Sequence, residues 1–435
     1  MGFINNAGPV IISSRGHCRQ SALAVLLLAA ILPAAGCSYI FSEKRTFYQY
    51  EPAYGVVSPE FLRSLNALGT GMTADNAAVL LENGDACFGS MLEAIRSAKR
   101  SVNLEIYIFD HDNIATRFAG ELSERARAGV EVRVLVDSFG ARLGPLRLAM
   151  AGAGVKVFEY KPLRVYSIFR AGTRTHRRIL TVDGLVGFTG GTGIDDRWKG
   201  DARNPQEWRD TMVRVQGPVV AELQHIFLQD WLHTTGEVLH GDAQFPLVPA
   251  GGDKLAQAVG SSRTDQSSIA KLGFYMAIQA ARERIWIENA YFVPDRQIRE
   301  GLVRAAARGV DVKIIVPGKH IDVRSVRLAS RFHYGELLDG GVQVFEFQPT
   351  MMHNKVMVVD SIWTSIGSIN FVNRSMLKNA EVSMMVYDRA FAAQAEHMVE
   401  RDLARCEVLS KQAWKKRGLL PRIGELFFWL LSDNY

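Results

Sequence analysis

The chain has 435 residues, of which 48% are apolar and 22% are charged. This is the composition of an ordinary globular protein, which excludes a fibrous or largely disordered chain, and the length suffices for two domains with full cores. The formal net charge of +6 is compatible with an anionic lipid surface or with nucleic acid, and it is diagnostic of neither.

Residues 1–37 have the pattern of a targeting segment. Arg15 and Arg19 precede an apolar run over 22–35 that is too short to span a bilayer comfortably. Small residues stand directly before Cys37, an arrangement that resembles a bacterial lipoprotein cleavage site with Cys37 as the lipidated residue. We therefore expect a protein of the bacterial cell envelope, membrane-anchored, with its folded part outside the cytoplasm. An uncleaved signal anchor is the alternative and predicts the same placement.

Helical and strand patterns alternate after a lead-in over 38–78, which has little periodicity. The segments 86–98 and 113–128 are predicted helices, the second ending before Gly129 as at a C-terminal cap. The segments 102–109 and 131–137 are predicted strands. This alternation predicts an α/β domain with a largely parallel sheet, closed by a helix over 218–233.

A basic insertion over 163–175 precedes the first of two polar motifs. It carries three arginines, Arg164, Arg170 and Arg174, interleaved with aromatic and apolar side chains. Such a mixture suits a phosphate head group beside acyl chains, so Arg164 and Arg174 are candidate substrate-binding residues. It would equally suit stacked bases and a sugar-phosphate backbone, or be an ordinary surface loop.

The two motifs share one spacing of histidine, cation, aspartate and glycine. The first contains His176, Arg178, Asp183, Gly190 and Gly191, and the second contains His353, Lys355, Asp360, Gly367, Ser368 and Asn370. Residues two apart on an extended chain point to the same side, so each motif brings an imidazole and a cation together at one strand end. The glycines allow close backbone approach. An imidazole nucleophile with cationic and amide donors suits a phosphoryl centre.

The sequence around the motifs is duplicated as well. GVEV at 129–132 matches GVDV at 309–312, and VFEYKP at 157–162 matches VFEFQP at 344–349. The chain is therefore two copies of one α/β unit. The predicted segments are a signal peptide at 1–37, a lead-in at 38–78, a first domain at 79–235, a linker at 236–253, a second domain at 254–410 and a tail at 411–435. Each copy supplies one histidine, so packing about a pseudo-twofold axis would bring both to one cleft.

The doubled motif resembles the signature of the phospholipase D superfamily. The strings LLENGDACFGSMLEAI, IENAYFVPD, EWRDTMVRVQGPVV and GGVQVFEFQPTMMHNKV resemble bacterial cardiolipin synthases. The resemblance implies two homologous α/β domains packed about a pseudo-twofold axis with one shared active site. It implies transfer of a phosphatidyl group from one phosphatidylglycerol to a hydroxyl of another through a phosphohistidine. Two positions depart from the superfamily pattern, because Arg178 stands where lysine is usual and Gly193 where asparagine is usual.

The resemblance also implies roles for the motif residues. His176 is the nucleophile and His353 the acid and base, although their order stays open. An unperturbed histidine titrates near neutrality, so one neutral and one protonated ring can coexist. Lys355 and Arg178 hold the non-bridging oxygens of the phosphate. The remaining candidate substrate contacts are Ser368, Asn370, Gly190 and Gly191.

Six carboxylates are candidates for supporting roles. Asp210 and Glu381 each follow their own motif at a similar distance, and they are candidates to accept a hydrogen bond from the far histidine nitrogen, with a surface ion pair as the alternative. Asp183 and Asp360 complete the motifs and are grouped with the catalytic residues, although their place just after strands suits structural or interdomain hydrogen bonds. Glu105 and Glu288 lie inside apolar strands and are expected to be structural acids, with an edge role in catalysis as the alternative.

The expected partners are phospholipids, with phosphatidylglycerol first, and a membrane surface. The sequence has no metal-ligand spacing, so we expect no metal and no cofactor, and Cys87 and Cys406 are expected to be free thiols, with a disulfide as the alternative. No nucleic acid is expected, and the oligomeric state stays open. A hydrolytic phospholipase D, a phosphodiesterase acting on nucleic acid, and a lipid-binding protein without activity are the alternative functions.

The tail over 411–435 is basic and then apolar. Three lysines and Arg417 precede leucine, isoleucine, phenylalanine and tryptophan residues over 419–431. This stretch is too short to span a bilayer, and it predicts an interfacial amphipathic segment. A helix docked on the second domain is the alternative.

Overall fold

A computed structural model describes residues 47–67, 69, 71–162, 174–261 and 269–432. The chain clusters into two units, Met1–Phe47 and Tyr48–Tyr435, and the fold belongs to the second unit. The predicted signal segment with Cys37, the start of the lead-in, and Arg164 lie outside the described residues.

Two successive α/β halves follow helix α1 (Pro59–Asn66). The first half contains β1 (Thr73–Glu82), α2 (Asn83–Ser97), β2 (Ser101–Ile106), α3 (Asn113–Arg127), β3 (Glu131–Asp137), α4 (Pro145–Gly152), β4 (Lys156–Tyr160), β5 (Arg178–Val182), β6 (Val186–Gly190), the 3-10 turn Asp196–Trp198, β7 (Thr211–Gln216) and α5 (Val219–Thr235).

The second half repeats this order with two short additions. It contains β8 (Lys254–Ser261), α6 (Ile269–Ala280), β9 (Arg284–Asn289), β10 (Phe292–Val293), α7 (Arg296–Ala307), β11 (Asp311–Pro317), α8 (Arg324–Asp339), β12 (Gln343–Phe347), β13 (Lys355–Val359), β14 (Trp363–Gly367), β15 (Phe371–Val372), α9 (Asn373–Leu377), β16 (Glu381–Tyr387) and α10 (Arg389–Leu403). The strand β17 (Cys406–Val408) and the helices α11 (Lys411–Lys415) and α12 (Leu419–Leu430) complete the described chain.

One continuous sheet joins the halves. Its spatial order over the described residues is β17-β12-β11-β9-β13-β14-β16-β8-β1-β7-β6-β5-β2-β3-β4. Outward from the antiparallel pair of β1 and β8, each half has the same strand order. A pseudo-twofold axis at this pair therefore relates the halves. The predicted architecture of two homologous α/β units is confirmed.

The expectation of a largely parallel sheet is wrong. Among the described strands of this sheet, only β2, β3 and β4 in the first half, and β9, β11 and β12 in the second, pair in parallel, and β10 and β15 form a separate parallel pair. These strands follow helical crossovers, which parallel pairing requires. The motif strands β5 and β13 are instead followed by tight turns at Asp183 and Asp360, so they pair antiparallel with β6 and β14.

The helices cover both faces of the sheet. Helices α2, α3 and α4 pack on one face of the first half, and α6, α7 and α8 on the same face of the second. Helices α5 and α10 pack on the opposite face, where one apolar cluster contains residues of both halves, among them Phe227, Trp231, Phe391 and Met398. The halves thus share a core as well as a sheet.

Several predicted elements coincide with the structure, and one strand was missed. The helix predicted over 113–128 is α3, capped by the Asp112 side chain and followed by Gly129 at φ +88°. Asp295 caps α7 at the corresponding place in the second half. Strand β1 begins at Thr73, inside the predicted lead-in, because its polar first half TADN hides the strand pattern.

Candidate active site

His176 lies where the first half contacts the second. Thr175 forms an isolated parallel bridge with Ala380, and the backbone N–H of His176 donates to the Ala380 carbonyl at 2.8 Å. The next residue of that strand is Glu381, and the Nδ1 atom of His176 lies 3.0 Å from its Oε2 and 3.1 Å from its Oε1. A carboxylate from the second half therefore orients a histidine of the first.

His353 has the reciprocal arrangement. Met352 bridges Arg209, and the backbone N–H of His353 donates to the Arg209 carbonyl at 2.7 Å. The next residue is Asp210, whose Oδ2 lies 2.6 Å from the Nδ1 of His353. The structure thus places both predicted histidine-orienting carboxylates against a ring nitrogen, and each comes from the opposite half. In each ring this fixes the tautomer and leaves Nε2 for chemistry.

A cation lies beside each Nε2 atom. Arg178 donates through Nη1 to the carbonyl of His176 at 2.8 Å, and its Nη2 lies 3.2 Å from the His176 Nε2. Lys355 donates to the carbonyl of His353, and its Nζ lies 3.1 Å from the His353 Nε2. A negative group that contacts either Nε2 atom would therefore meet a positive charge as well.

Electrostatic effects cross between the halves at His176. Burial is the main cause that lowers the pKa of His176, and the charge of Arg178 adds to it. The nearby Glu381 opposes the shift, and Lys355 of the second half adds to it. Both motif cations therefore act on this imidazole, which is what convergence of the two half-sites requires.

The pKa of His353 is lowered further. Burial lowers the pKa of this ring to about 3, with the charge of Lys355 adding to the shift and Asp210 opposing it. Both shifts favour the neutral form of the imidazole. The expectation of one neutral and one protonated ring assumed the unperturbed pKa of histidine. Burial and the neighbouring cations lower the pKa of both rings, so this assumption does not hold in the protein alone.

The charges that support the histidines are also perturbed. Burial lowers the pKa of Lys355 to about 7. Burial raises the pKa of Asp210, but the nearby Lys355 and the hydrogen bonds that the carboxylate receives from His353 and Trp198 outweigh this, so the net shift is downward. Asp210 is therefore firmly ionised, and it holds a proton on the Nδ1 of His353.

The motif glycines give the carboxylates room. A Cβ atom at Gly191 would collide with the Asp210 carboxylate, and one at Gly190 would collide with the backbone of Thr211 and Met212. Gly367 stands in the same relation to the strand that carries Glu381. Gly190 and Gly191 therefore act on the approach of strands, and their contact with a substrate stays a prediction.

A family model described as "Cardiolipin synthase, PLD-like domain" matches residues 91–231 and 275–403, one segment in each half. The chain belongs to this phospholipase D-like family. Its two histidine motifs, one in each matched segment, meet as described above. The chain is a transferase-type enzyme of the phospholipase D superfamily.

Individual relatives agree with the family match. The chain is 37% identical over 373 residues to cardiolipin synthase A of Pseudomonas fluorescens (strain SBW25), which covers 83% of this chain and 76% of the relative. It is 34% identical over 379 residues to the probable cardiolipin synthase YwiE of Bacillus subtilis (strain 168), covering 86% and 75%. Phosphatidylserine synthase of Haemophilus influenzae Rd KW20 has a similar fold, with a TM-score of 0.66 at 13% identity over 82% of this chain and 95% of that structure.

Ser368 and Asn370 take different parts in this phospholipase D-like site. The Ser368 hydroxyl donates to Oε2 of Glu381 at 2.5 Å, so it supports the carboxylate. Ser375, which sequence analysis did not single out, donates to the other oxygen of Glu381. The Oδ1 atom of Asn370 is buried and has no hydrogen-bond partner among the described residues. Asn370 therefore keeps an acceptor for a bound molecule.

The motif aspartates lie at the other ends of their strands. Asp360 accepts hydrogen bonds from the backbone N–H groups of Arg282, Glu283 and Arg284 at 2.8, 2.8 and 3.0 Å. Asp183 accepts in the same way from the backbone over 99–101. Both therefore bind the start of a neighbouring strand within their own half. Among the described residues, their carboxylates do not contact the histidines, and their hydrogen bonds favour the structural role over the interdomain one that was also expected.

The side chain of Arg174 binds within the first half. Its side chain is buried, and its Nη1 donates to the Ser138 hydroxyl at 2.9 Å and to the Lys161 carbonyl at 3.2 Å. The expectation of a substrate-binding arginine at the mouth of the site does not suit this buried place. Its guanidinium instead holds the ends of strands β3 and β4 together.

Aromatic residues around the histidines were missed by sequence analysis. Trp198 and Trp208 pack against His353 with ring centroids 5.2 and 5.3 Å away, and Tyr107 packs against His176 at 4.9 Å. The signal that could have pointed to them is the tryptophan pair that flanks the segment before Asp210. These rings exclude water from one side of each imidazole.

Two buried acid pairs lie behind the site. Glu105 receives a hydrogen bond from Thr175, next to His176, and Glu288 receives one from Asn354, next to His353. Burial raises the pKa of Glu105 well above its usual value, and it raises the pKa of Glu288 to about 8. The nearest arginines, Arg177 and Arg209, bind the partner aspartates Asp230 and Asp402 at 2.7 Å each. These surroundings favour a structural role for the two glutamates, as the sequence predicts.

Three further observations concern only the described part of the chain. No group of three or more histidine, cysteine or acidic side chains there could hold a metal ion. No helix there is long and apolar enough to cross a membrane. Cys87, which is buried, and Cys406, which is half-buried, are both free thiols.

Proposed function

We propose that this protein is a phosphatidyltransferase of cardiolipin synthase type that acts at a membrane face through a phosphohistidine intermediate. The observation that carries the proposal is the pair of Nε2 atoms, one from each half, each with its Nδ1 bound to a carboxylate and a cation alongside. Family membership and the named relatives support phospholipid chemistry at this pair.

In the first step, the Nε2 of His176 attacks the phosphorus of phosphatidylglycerol. A P–N bond forms, the P–O bond to the glycerol breaks, and the leaving oxygen takes a proton from His353. His353 is neutral in the protein alone. A phosphodiester brings a negative charge between the rings and the cations. This charge raises the pKa of the His353 imidazole, so the ring is protonated when the substrate is bound.

In the second step, a hydroxyl of another phosphatidylglycerol attacks the phosphohistidine. His353 takes the hydroxyl proton, the new P–O bond forms, and the P–N bond breaks, which regenerates His176 and yields cardiolipin. Lys355 and Arg178 offset the charge on the non-bridging oxygens in both steps. The unpaired Oδ1 of Asn370 is suited to accept a hydrogen bond from the second, non-reacting hydroxyl of the same glycerol head group.

The low exposure of the site supports transfer to an alcohol over transfer to water. The side chains of His176 and His353 are 12% and 5% exposed. A phosphohistidine formed there is shielded from bulk water, so a lipid hydroxyl delivered with its head group competes well. Hydrolysis to phosphatidic acid is the rival outcome.

The test is lipid analysis of cells that lack their own cardiolipin synthases and express this chain. Wild-type protein should give cardiolipin, and His176→Ala and His353→Ala should not. His397→Ala, which alters a histidine that is 69% exposed, is the matched control and should behave as wild type. Phosphatidic acid in place of cardiolipin would favour the hydrolase, and nicking of plasmid DNA by purified protein would favour the nuclease. Cardiolipin unchanged between wild type and the two alanine variants would end the proposal.

Helix α12 supports the membrane-facing part of the proposal. Its inner face is docked, because Trp429 stacks on Phe332 of α8 at 4.5 Å and Glu425 binds Arg331 and Arg417. Phe428 and Trp429 also pack on the cluster that contains Val372, two residues beyond Asn370. Both readings of the tail thus have support, since a docked helix still has a second face.

The outer face of α12 is an apolar stripe. Leu419, Leu420 and Ile423 are 71%, 83% and 54% exposed, and Leu426 and Leu430 are 42% and 46% exposed. Lys415 and Arg422 lie near this stripe in the chain. Leucines flanked by cations suit the interface of an anionic bilayer, where each cation near the surface contributes about 1 kcal/mol.

Vesicle binding tests this surface. The variant Leu419→Gln, Leu420→Gln, Ile423→Gln should sediment less with phosphatidylglycerol vesicles, whereas Leu247→Gln, at a residue that is 99% exposed elsewhere, should sediment as wild type. Equal sedimentation of all three proteins would remove the role of α12. The proposed envelope localisation is tested separately, because Cys37→Ser should release the protein from the membrane fraction if Cys37 carries the lipid.

A further inference from the structure

The duplication places different residues at two equivalent positions. Gly191 and Ser368 both stand fifteen residues after their motif histidine, and Gly193 and Asn370 both stand seventeen residues after it. In the second half, the Ser368 hydroxyl donates to Glu381. In the first half, two glycines leave Asp210 without a donor from these positions.

The indole of Trp198 fills the space beside Gly193. A Cβ atom at Gly193 would lie 2.9 Å and 3.0 Å from two ring carbons of Trp198, so a larger residue and this ring exclude each other. Gly193 does not have a positive φ angle, so its backbone does not itself require glycine. The small residue and the large ring therefore form a matched pair.

Trp198 supplies the donor that the glycines lack. Its Nε1 donates to Oδ2 of Asp210 at 2.7 Å, and the same oxygen lies 2.6 Å from the Nδ1 of His353. The ring is fully buried and meets the His353 imidazole edge to face at 5.2 Å. One side chain thus fixes the carboxylate and covers the imidazole that this carboxylate orients.

Trp198 is fixed through both its backbone and its ring. Asp195 caps the 3-10 turn Asp196–Trp198, and the guanidinium of Arg197 lies 5.4 Å from the Trp198 ring and 4.9 Å from the Trp208 ring. On the backbone side, a Cβ atom at Gly84 would collide with the Trp198 carbonyl. A side chain fixed in this way can set the position of Asp210 with little freedom to move.

We propose that Trp198 is a positioning residue for the His353 half-site and that its indole N–H gives Asp210 the support that the hydroxyls of Ser368 and Ser375 give Glu381 in the other half-site. The proposal rests on the proposed function only for the identity of the natural substrate. The two halves keep one geometry with different donors, two serines on one side and a glycine–tryptophan pair on the other. Arg178 and Gly193, the two departures from the superfamily pattern, do not leave the first half disabled in this account.

The central test removes the N–H and keeps a ring. Trp198→Phe should lower kcat for cardiolipin formation about 10-fold, with KM changed much less, because the lost bond orients a proton carrier and does not touch the lipid. The pH profile of kcat should move as well, since Asp210 then interacts differently with His353. Trp286→Phe is the matched control, because Trp286 also donates from Nε1 to a carboxylate, at 2.9 Å to Asp311, in a strand away from the site.

A coupled substitution tests the matched pair. Gly193→Ala should lower kcat by pressing on the ring, and the same substitution in a Trp198→Phe background should have a smaller effect, since the smaller ring leaves space. The Gly193→Ala single variant also serves if Trp198→Phe does not fold, because it keeps Trp198 and removes no buried contact. Unchanged kcat and pH profile in both single variants, or strictly multiplicative effects in the double variant, would overturn the proposal.

A chromogenic phosphodiester separates this proposal from the proposed function. Hydrolysis of bis(p-nitrophenyl) phosphate reports on the histidine pair without any lipid. If wild-type protein hydrolyses this compound but makes no cardiolipin, the lipid assignment fails, and the Trp198 and Gly193 variants are still scored on the same assay. If lipid transfer is present and the variants match wild type on both substrates, the positioning role alone fails.

Discussion

Lys355 shows how strongly the site acts on a single residue. Its ammonium group is buried beside His353, and burial lowers its pKa to about 7. A lysine on the surface would stay charged well above this pH. We therefore expect the affinity of the site for an anionic head group to depend on pH, in a range where an arginine at this position would stay charged.

We predict a loss of substrate affinity on the alkaline side. Because the pKa of Lys355 is lowered to about 7, the ammonium group is half deprotonated there and loses the rest of its charge as the pH rises further. The KM for phosphatidylglycerol should therefore rise, approaching tenfold per pH unit above the pKa. Lys355→Arg should show a flatter KM between about pH 6 and about pH 9, whatever its kcat, because guanidinium stays charged there. A wild-type KM that is flat over this range would contradict the prediction.

We also predict a selective effect of Glu381→Gln. The substitution keeps the shape of the side chain but removes the charge that holds the His176 Nδ1 proton at 3.0 Å. Measured kcat should fall about 100-fold with KM within about threefold of wild type, because the ring is then free to take the wrong tautomer. Glu396→Gln, at a buried carboxylate bound to Ser361 and Arg284, is the control and should keep wild-type kcat.

At the scale of elements, each motif strand has a catalytic residue at one end and a structural residue at the other. Strand β13 begins at Lys355, beside the histidine, and its far end is followed by Asp360, which receives three backbone N–H groups. The same division holds for β5 and Asp183. One short motif therefore contains a reactive end and a structural end, and the two should separate in experiment.

Asp360→Asn should affect stability more than rate. The amide places an N–H group where the backbone N–H of Arg282 now donates, so about 2 kcal/mol of unfolding free energy should be lost. Denaturant unfolding measures this, with Asp253→Asn, at a side chain that is 87% exposed, as the unaffected control. A much reduced kcat in folded, fully stable Asp360→Asn protein would show that Asp360 has a catalytic role.

The sequence predicted elements and motifs better than it predicted their pairing. The spacing of His353 and Lys355 on one strand, and the helix at 113–128, followed from local periodicity and capping. The antiparallel centre of the sheet did not, because strand direction depends on the turns after Asp183 and Asp360. The crossed pairs His176–Glu381 and His353–Asp210 did not either, because contacts 205 and 143 residues apart in sequence leave no local pattern. Trp198 was missed for the same reason.

At the scale of the whole molecule, the two halves are not separable bodies. Strands β1 and β8 pair at the centre, and the cluster under α5 and α10 contains apolar side chains from both halves. The bridges at Ala380 and Arg209 add backbone hydrogen bonds between the motif of one half and the strand that carries the orienting carboxylate of the other. Sheet, core and active site thus all depend on the same contact between halves.

This continuity predicts a single unfolding transition. Heating the purified protein should give one calorimetric peak, with the calorimetric enthalpy equal to the van't Hoff enthalpy, because neither half can lose its core alone. Tryptophan fluorescence should follow the same curve, since tryptophans such as Trp231 and Trp363 are buried in both halves. Two separated peaks would show that the halves unfold independently.

The crossed carboxylates also govern when activity begins. His176 leaves the ribosome long before Glu381, which follows it by 205 residues. At about 5–20 residues per second, this interval lasts roughly 10–40 s. A growing chain therefore carries an imidazole without the acid that orients it, and its first half-site stays incomplete until nearly all of the chain has been synthesised.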